Sequence, residues 1–274
     1  SNLDGRVDTS DLVAVIAISN NDTSVSTARL HAINAATGVV MWSFNARVPN
    51  RLVTPAMADL TGGGEVSVLV VDTERKLVAV KPDGSLRWVS ANPIAATTLD
   101  NTTIGVADLD GDGRAEILVG PAVFDASGNL LWQFPVSTTN QGHAQALDLD
   151  GDGRQEVLYR GEARRADGTL LWKTPPVGTG TGTVSESFFA PAQLSGGARP
   201  DVVVSERTSA NYRLVALRAD GSVIWQVAGA PVTQAGPPLV ADFASSPGQE
   251  IFVAATGQLF SATGQVQWNI GGTA

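Results

Sequence analysis

The chain has 274 residues, a formal charge of −9, 29 glycines and no cysteine. Its acidic balance excludes nucleic acid and anionic membrane surfaces as principal partners, and two bound divalent cations would bring it only to −5. No disulfide holds the fold, and no apolar run approaches the ~18 residues that a membrane-inserted helix needs.

In chain order the sequence reads as six units, each closed by a hairpin turn and a tryptophan. The first opens on Asn2-Leu-Asp-Gly-Arg-Val-Asp-Thr-Ser-Asp11 and closes on Ala36-Thr-Gly-Val-Val-Met-Trp42. The second opens on Asp59-Leu-Thr-Gly-Gly-Gly-Glu-Val-Ser67 and closes on Pro82-Asp-Gly-Ser-Leu-Arg-Trp88. The third runs from Asp108-Leu-Asp-Gly-Asp-Gly-Arg-Ala-Glu116 to Ala126-Ser-Gly-Asn-Leu-Leu-Trp132. The fourth runs from Asp148-Leu-Asp-Gly-Asp-Gly-Arg-Gln-Glu156 to Ala166-Asp-Gly-Thr-Leu-Leu-Trp172. The fifth runs from Gln193-Leu-Ser-Gly-Gly-Ala-Arg-Pro-Asp201 to Ala219-Asp-Gly-Ser-Val-Ile-Trp225. The sixth runs from Asp242-Phe-Ala-Ser-Ser-Pro-Gly-Gln-Glu250 to Ala262-Thr-Gly-Gln-Val-Gln-Trp268.

Asp-Gly and Thr-Gly between apolar runs are hairpin turns, because glycine accepts positive φ. Each unit therefore reads strand, acidic or glycine-rich loop, strand, strand, hairpin, tryptophan strand. Four strands per ~40–50 residues is the pattern of a β-propeller blade. The expected fold is all-β: one propeller domain over residues 1–274, with six or seven four-stranded blades. Six of them end near Trp42, Trp88, Trp132, Trp172, Trp225 and Trp268. A solenoid is the alternative, though parallel β-helix repeats are shorter. A tryptophan at one fixed place in each unit is expected to pack between neighbouring blades rather than to stack on sugars.

The third and fourth loops each hold four carboxylates. Charges of one sign this close repel unless a cation neutralises them. Oxygen ligands at alternating positions, with glycine for the sharp turn, suit a hard cation such as Ca²⁺. An EF-hand does not fit, since position twelve is Val119 or Tyr159 and the flanks read as strands. The expected ligands are Asp108, Asp110, Asp112 and Glu116 with the carbonyl of Arg114, and Asp148, Asp150, Asp152 and Glu156 with the carbonyl of Arg154. Two Ca²⁺ sites follow. The other loops have lost carboxylates and are expected to hold no tight metal, with Asp4 and Asp11 leaving the first open.

The run Val106-Ala-Asp-Leu-Asp-Gly-Asp-Gly-Arg-Ala-Glu-Ile-Leu-Val-Gly120 resembles the FG-GAP (VCBS-type) repeat of integrin α-subunit propellers and bacterial secreted proteins. The resemblance spans the third and fourth units fully and the others in degenerate form. It implies calcium loops joining the first and second strands of a blade, on one face of a disc, with ligand sites on the opposite face. The hairpin-plus-tryptophan pattern also resembles the repeat of quinoprotein (PQQ) propellers, which we read as shared blade packing.

No catalytic constellation is visible: there is no Gly-x-Ser-x-Gly elbow, no His-Glu-x-x-His and no phosphate-binding glycine loop. His31 is expected on a strand face and His143 just before the strand leading to Asp148, both as surface or satisfied histidines. The connection Pro175–Ser185 is a long loop that could carry binding. Asn21-Asp-Thr23 and Asn101-Thr-Thr103 match the glycosylation sequon at near-chance frequency. One innermost strand is unaccounted for, so the chain is expected to be a fragment or processed form of a longer protein; the alternative is a strand donated by another copy or another segment, with self-association through that edge. The chain starts inside a repeat, and any leader is expected to have been removed. The reading is a non-enzymatic, calcium-binding propeller, extracellular or at the cell surface, with the periplasm as a further location. It would recognise a protein or glycan on one face. The alternatives are a carbohydrate-active lyase or hydrolase, or its accessory domain, and a structural subunit of a filament or surface layer.

Overall fold

The computed structural model describes residues 13–18, 29–45, 47, 53–96, 99, 102–135, 143–175, 184–208, 212–229, 236–243 and 248–270. The loop Asn2–Asp11, the sequon at residues 21–23, Asn101 of the second sequon and residues 176–183 of the long connection lie outside them.

The first sheet contains β1 (Val13–Ile18), β2 (Arg29–Asn34) and β3 (Val40–Phe44). β4 (Val53–Thr54) and β5 (Ala56–Asp59) follow, separated only by Pro55. β5 begins the second sheet with β6 (Val66–Val71), β7 (Leu77–Val80) and β8 (Leu86–Val89). The third sheet is β9 (Thr102–Ala107), β10 (Glu116–Val119), β11 (Ala122–Phe124) and β12 (Leu130–Gln133), with β4 added in parallel beside β9. The fourth is β13 (Gln145–Leu147), β14 (Glu156–Tyr159), β15 (Glu162–Arg164) and β16 (Leu170–Lys173). The fifth is β17 (Val184–Ala192), β18 (Asp201–Thr208), β19 (Tyr212–Leu217) and β20 (Val223–Gly229). The sixth is β21 (Pro238–Ala241), β22 (Glu250–Val253), β23 (Gln258–Phe260) and β24 (Val266–Asn269). Within each sheet, strands consecutive in sequence pair antiparallel. Among the described residues, the first sheet has no strand at the place held by β5, β9, β13, β17 and β21 in the others.

Several middle strands are buried along their whole length. Leu77–Val80, Glu116–Val119 and Glu156–Tyr159 show no exposed position. That is why they read as continuous β-branched and aliphatic runs rather than alternating ones: both faces meet protein. Chain neighbours share cores. Leu30 and Phe44 of the first sheet pack with Val68 and Val78 of the second. Leu69 and Leu77 pack with Ile117 and Phe124 of the third. In the same way Leu158 and Trp172 meet Val204 and Val215, and Val203 and Leu214 meet Ile251 and Phe260.

The tryptophans lock these pairs of sheets. Trp42 covers Gly84 of the next hairpin, Trp88 covers Gly128, Trp172 covers Gly221 and Trp225 covers Gly264. A Cβ at those glycines would lie 2.8, 2.6, 2.5 and 2.7 Å from the indole. Three of the rings also donate their Nε1–H to the carbonyl two residues before the glycine: Trp42 to Pro82 at 2.7 Å, Trp172 to Ala219 at 2.9 Å and Trp225 to Ala262 at 2.7 Å. Glycine is required twice over, for its positive φ and for the approach of the ring. A β-bulge sits at the same place in every such hairpin, for example between Ala79 and Val80 and between Ala216 and Leu217, and turns the tryptophan strand toward its seat.

The structure groups into two compact units, Ser1–Ala107 with Asp112–Val136, and Asp108–Gly111 with Ser137–Ala274. No helix among the described residues is long and apolar enough to cross a membrane.

Gly221→Ala should separate the two demands on these glycines. Gly221 (φ +81°) lies under Trp172, whereas Gly196 (φ +72°) has nothing within 4 Å of its Cβ position. Both alanines meet the left-handed backbone penalty of ~1–2 kcal/mol. Only Gly221→Ala adds overpacking of ~1–3 kcal/mol, so urea denaturation should show it less stable than Gly196→Ala by that amount. Equal midpoints would mean that the seat contributes nothing.

Candidate metal centres

The loop Asp148–Glu156 joins β13 to β14. Leu149 is fully buried and anchors it, while Gly151 (φ 77°) and Gly153 (φ 88°) fold the backbone over itself. Asp148 accepts from the N–H of Gly151 at 2.7 Å on Oδ1 and from that of Gly153 at 3.1 Å on Oδ2. Glu156, at the first position of β14, is 2% exposed and accepts from the Leu149 N–H at 2.9 Å. As a result, carboxylate oxygens of Asp148, Asp150 and Glu156 lie within 4.8 Å of one another. Burial raises the pKa of the Glu156 carboxyl; the Leu149 N–H opposes this, and the charges of Asp150, Asp152 and Asp148 add to it.

The loop Asp108–Glu116, between β9 and β10, repeats the arrangement. Leu109 is buried, the Gly111 N–H donates to Asp108 at 2.8 Å, and oxygens of Asp108, Asp110 and Glu116 fall within the same 4.8 Å. The two loops are joined by a hydrogen bond from the Gln155 N–H to the Leu109 carbonyl at 2.9 Å. Three converging carboxylates per loop fit a hard divalent cation in charge and donor type. The expected fourth carboxylate of each loop is placed otherwise: Asp112 accepts from the Arg114 N–H and Asp152 from the Arg154 N–H, each at 2.8 Å. Asp112 and Asp152 are not among the converging groups.

The degenerate loops use protein groups where these two gather charge. Asp59 accepts from the N–H groups of Thr61, Gly62 and Gly64, and the Thr61 and Gly64 bonds hold its carboxyl below the ordinary range. Asp201, buried at 2%, accepts from the N–H groups of Leu194 and Ser195 at 2.7 and 2.6 Å. Glu250 accepts from the Phe243 N–H at 2.8 Å. The acid at position nine thus bonds the N–H of position two in the fourth, fifth and sixth loops. That bond closes the loop with or without further carboxylates.

A second polar cluster, which no local motif announces, lies between the fourth and fifth sheets. Glu206 is fully buried and accepts from Arg213 (Nε at 2.8 Å, Nη2 at 2.6 Å) and from the Thr174 hydroxyl at 2.7 Å. Gly161 leaves room for it, since a Cβ there would lie 2.6 Å from both Glu206 Oε1 and Thr174 Oγ1. The adjoining Arg160 (φ 48°) donates to the Val184 carbonyl, and burial lowers its pKa. Glu206 and Arg213 meet through the β18–β19 register, which no local motif announces. His31 Nδ1 pairs with the Ser43 hydroxyl at 2.8 Å on the first sheet. His143 lies 5.2 Å from the Phe188 ring, and burial lowers its pKa.

Comparison with known proteins adds the following. Residues 26–158, a little under half of the chain, match the PQQ_2 family, described as outer membrane protein assembly factor BamB. No curated protein matches the chain in sequence. The V. cholerae biofilm matrix protein Bap1 is similar over 90% of this chain, at 24% identity and a TM-score of 0.70. The rhamnogalacturonan lyase YesW is similar over 88%, at 18% identity and a TM-score of 0.63. The chain spans 40% of Bap1 and 51% of YesW. These likenesses show a fold of β-propeller type, built from four-stranded sheets.

Two outcomes follow from the geometry. In chelator at neutral pH, Glu156→Gln should raise the melting temperature, because it removes a carboxylate whose ionised form is disfavoured. The folded protein holds this proton more tightly than the unfolded chain. Wild-type stability from this group therefore falls as pH rises through the folded pKa, and the advantage of the variant shrinks toward the ordinary glutamate range. With a divalent cation bound the sign should reverse. Separately, Glu206→Ala strands Arg213 in the interior and should cost ~3–5 kcal/mol in denaturant unfolding, with or without metal.

Proposed function

We propose that the chain is a calcium-stabilised β-propeller module of the FG-GAP/VCBS type that acts by recognition or adhesion rather than catalysis. The observation that carries this reading is the pair of loops in which three carboxylates converge in one repeated arrangement. In each, two aspartates and the position-nine glutamate would hold the ion. The Arg114 or Arg154 carbonyl and a rotated Asp112 or Asp152 would complete an oxygen shell. The ion would stiffen loops between first and second strands and leave the opposite face for a protein or glycan ligand. A single propeller over residues 1–274 and an extracellular, cell-surface or periplasmic location belong to the same reading. The fold likeness to a biofilm matrix protein supports it.

The likeness to a rhamnogalacturonan lyase supports a second reading, a polysaccharide-cleaving enzyme or a part of one. Incubation with a panel of acidic and neutral polysaccharides distinguishes the two. Release of unsaturated or reducing ends would favour the enzyme, and retention on an intact glycan or protein array would favour the recognition module.

Calcium dependence is measurable directly. With a Kd near ~10⁻⁴ M and ~1 mM free Ca²⁺, each site contributes about 1.4 kcal/mol, and two about 3 kcal/mol. Chelation should lower the melting temperature. Asp110→Ala and Asp150→Ala should each remove roughly half of the calcium-dependent increment. A melting curve indifferent to chelator would refute the metal reading.

A further inference from the structure

We propose that Arg75 binds the carboxylate of a uronic-acid-containing glycan, from a turn whose backbone is strained to present it. This names a ligand class for the recognition reading and rests on that reading. It does not depend on the metal loops.

Among the described residues, six turns share one pair of backbone bonds. The N–H of the first residue donates to the carbonyl of the fifth, and the N–H of the fourth donates to the carbonyl of the first. In five of them the fourth residue is a glycine with positive φ: Gly84, Gly128, Gly168, Gly221 and Gly264. Glycine is what that left-handed position favours. In the sixth, Asp72–Lys76 between β6 and β7, the fourth residue is Arg75 at φ 62°. A side chain in that conformation strains the backbone, and such strain clusters where a site uses it. Arg160 is the one other non-glycine residue with positive φ among the described residues, and its side chain donates to the Val184 carbonyl.

The turn itself has no need of an arginine. Asp72 is 1% exposed and closes it by accepting from the N–H groups of Glu74 and Lys76, each at 2.8 Å. Arg75 adds its own N–H to the Asp72 carbonyl and its own carbonyl to the Ile94 N–H, which any residue supplies. Its guanidinium has no hydrogen bond or ion pair among the described residues, and its Nε is buried without an acceptor. The two carboxylates of the turn are already taken by Arg47, which donates to Asp72 and, at 2.6 Å, to Glu74. A desolvated guanidinium N–H left unmatched is costly, and the planar fork suits a carboxylate.

The charges around it narrow the ligand. The turn and Arg47 carry three cations, Arg47, Arg75 and Lys76, against Asp72 and Glu74, in a chain of net charge −9. A dense polyanion such as an acidic peptide would meet Glu74 at close range and the remaining negative charge beyond it. Exposed Thr73 and Glu74 instead offer hydrogen-bond partners for hydroxyls. One carboxylate among hydroxyls satisfies the whole group, and that is a uronic-acid residue. The turn stands at the end of the second sheet away from the loop Asp59–Ser67, since β6 runs between them.

The test is titration of the full chain with short oligosaccharides of hyaluronan, alginate and polygalacturonate. Carboxyl-reduced forms of each and poly-L-glutamate serve as controls, and melting temperatures are measured on the same samples. Wild-type protein should bind at least one uronate oligosaccharide about tenfold more tightly than its reduced form. Arg75→Gln and Arg75→Gly should lose that margin, and Arg75→Lys should keep part of it, as a point charge without the fork. Arg75→Gly should also hold or raise the melting temperature, because glycine relieves the turn. A wild-type protein that binds no uronate overturns the proposal. Binding of the neutral forms alone then leaves the recognition reading standing, whereas silence on the protein and glycan arrays as well removes both. The proposal also fails if Arg75→Gln binds as wild type does. A lowered melting temperature in Arg75→Gly would make the guanidinium structural and overturn it too. So would an Arg75-dependent preference for poly-L-glutamate, which would assign the turn to an acidic peptide.

Discussion

An indole lying on a glycine is the constraint on which the rest of the structure depends. The sheets are short, and their middle strands are apolar on both faces, so no sheet could stand alone in water. At Trp42, Trp88, Trp172 and Trp225 the ring of one sheet finds on the next a surface without a Cβ, and three of the four also find a carbonyl to accept the N–H. Dispersion and apolar burial provide the strength, and the hydrogen bond sets the direction. The metal loops and the buried Glu206–Arg213 pair act within a frame that these contacts have already oriented.

The repeat itself was legible because its punctuation is local. Glycine four residues before tryptophan marks a turn and the strand after it, and six copies fix the period. The bulge was not legible, since nothing in Ala79-Val80 or Ala216-Leu217 marks two residues facing one. The tryptophans were expected between neighbouring repeats, and Trp42, Trp88, Trp172 and Trp225 lie there; that each lands on the hairpin glycine of the following repeat was not legible. The metal loops were readable in composition and partly in geometry. Alternating carboxylates foretold Asp148, Asp150 and Glu156 coming together; Asp152, which accepts from the Arg154 N–H, is not among them. Glu206 and Arg213 escaped because their pairing depends on hairpin register.

The loops also show how one backbone shape serves two electrostatic situations. Around Asp59 a single carboxylate faces several N–H groups and is favoured in its charged form. Around Glu156 carboxylates face each other, and the charged form is disfavoured. Glycines with positive φ recur in both, at Gly62 and Gly64 and at Gly151 and Gly153. The difference lies in the side chains, so a repeat can exchange an ion-dependent loop for a self-capped one without altering the strands that follow.

The short segment Val53–Asp59 runs through two sheets. Before Pro55 it pairs in parallel with β9, and after Pro55 it pairs antiparallel with β6. Proline offers no N–H to either ladder, which makes it the natural point of transfer. In most tandem arrays a repeat can fray while its neighbour persists, because only side chains cross between them. Here the main chain crosses as well. The second sheet is thereby tied by its own main chain to an edge of the third.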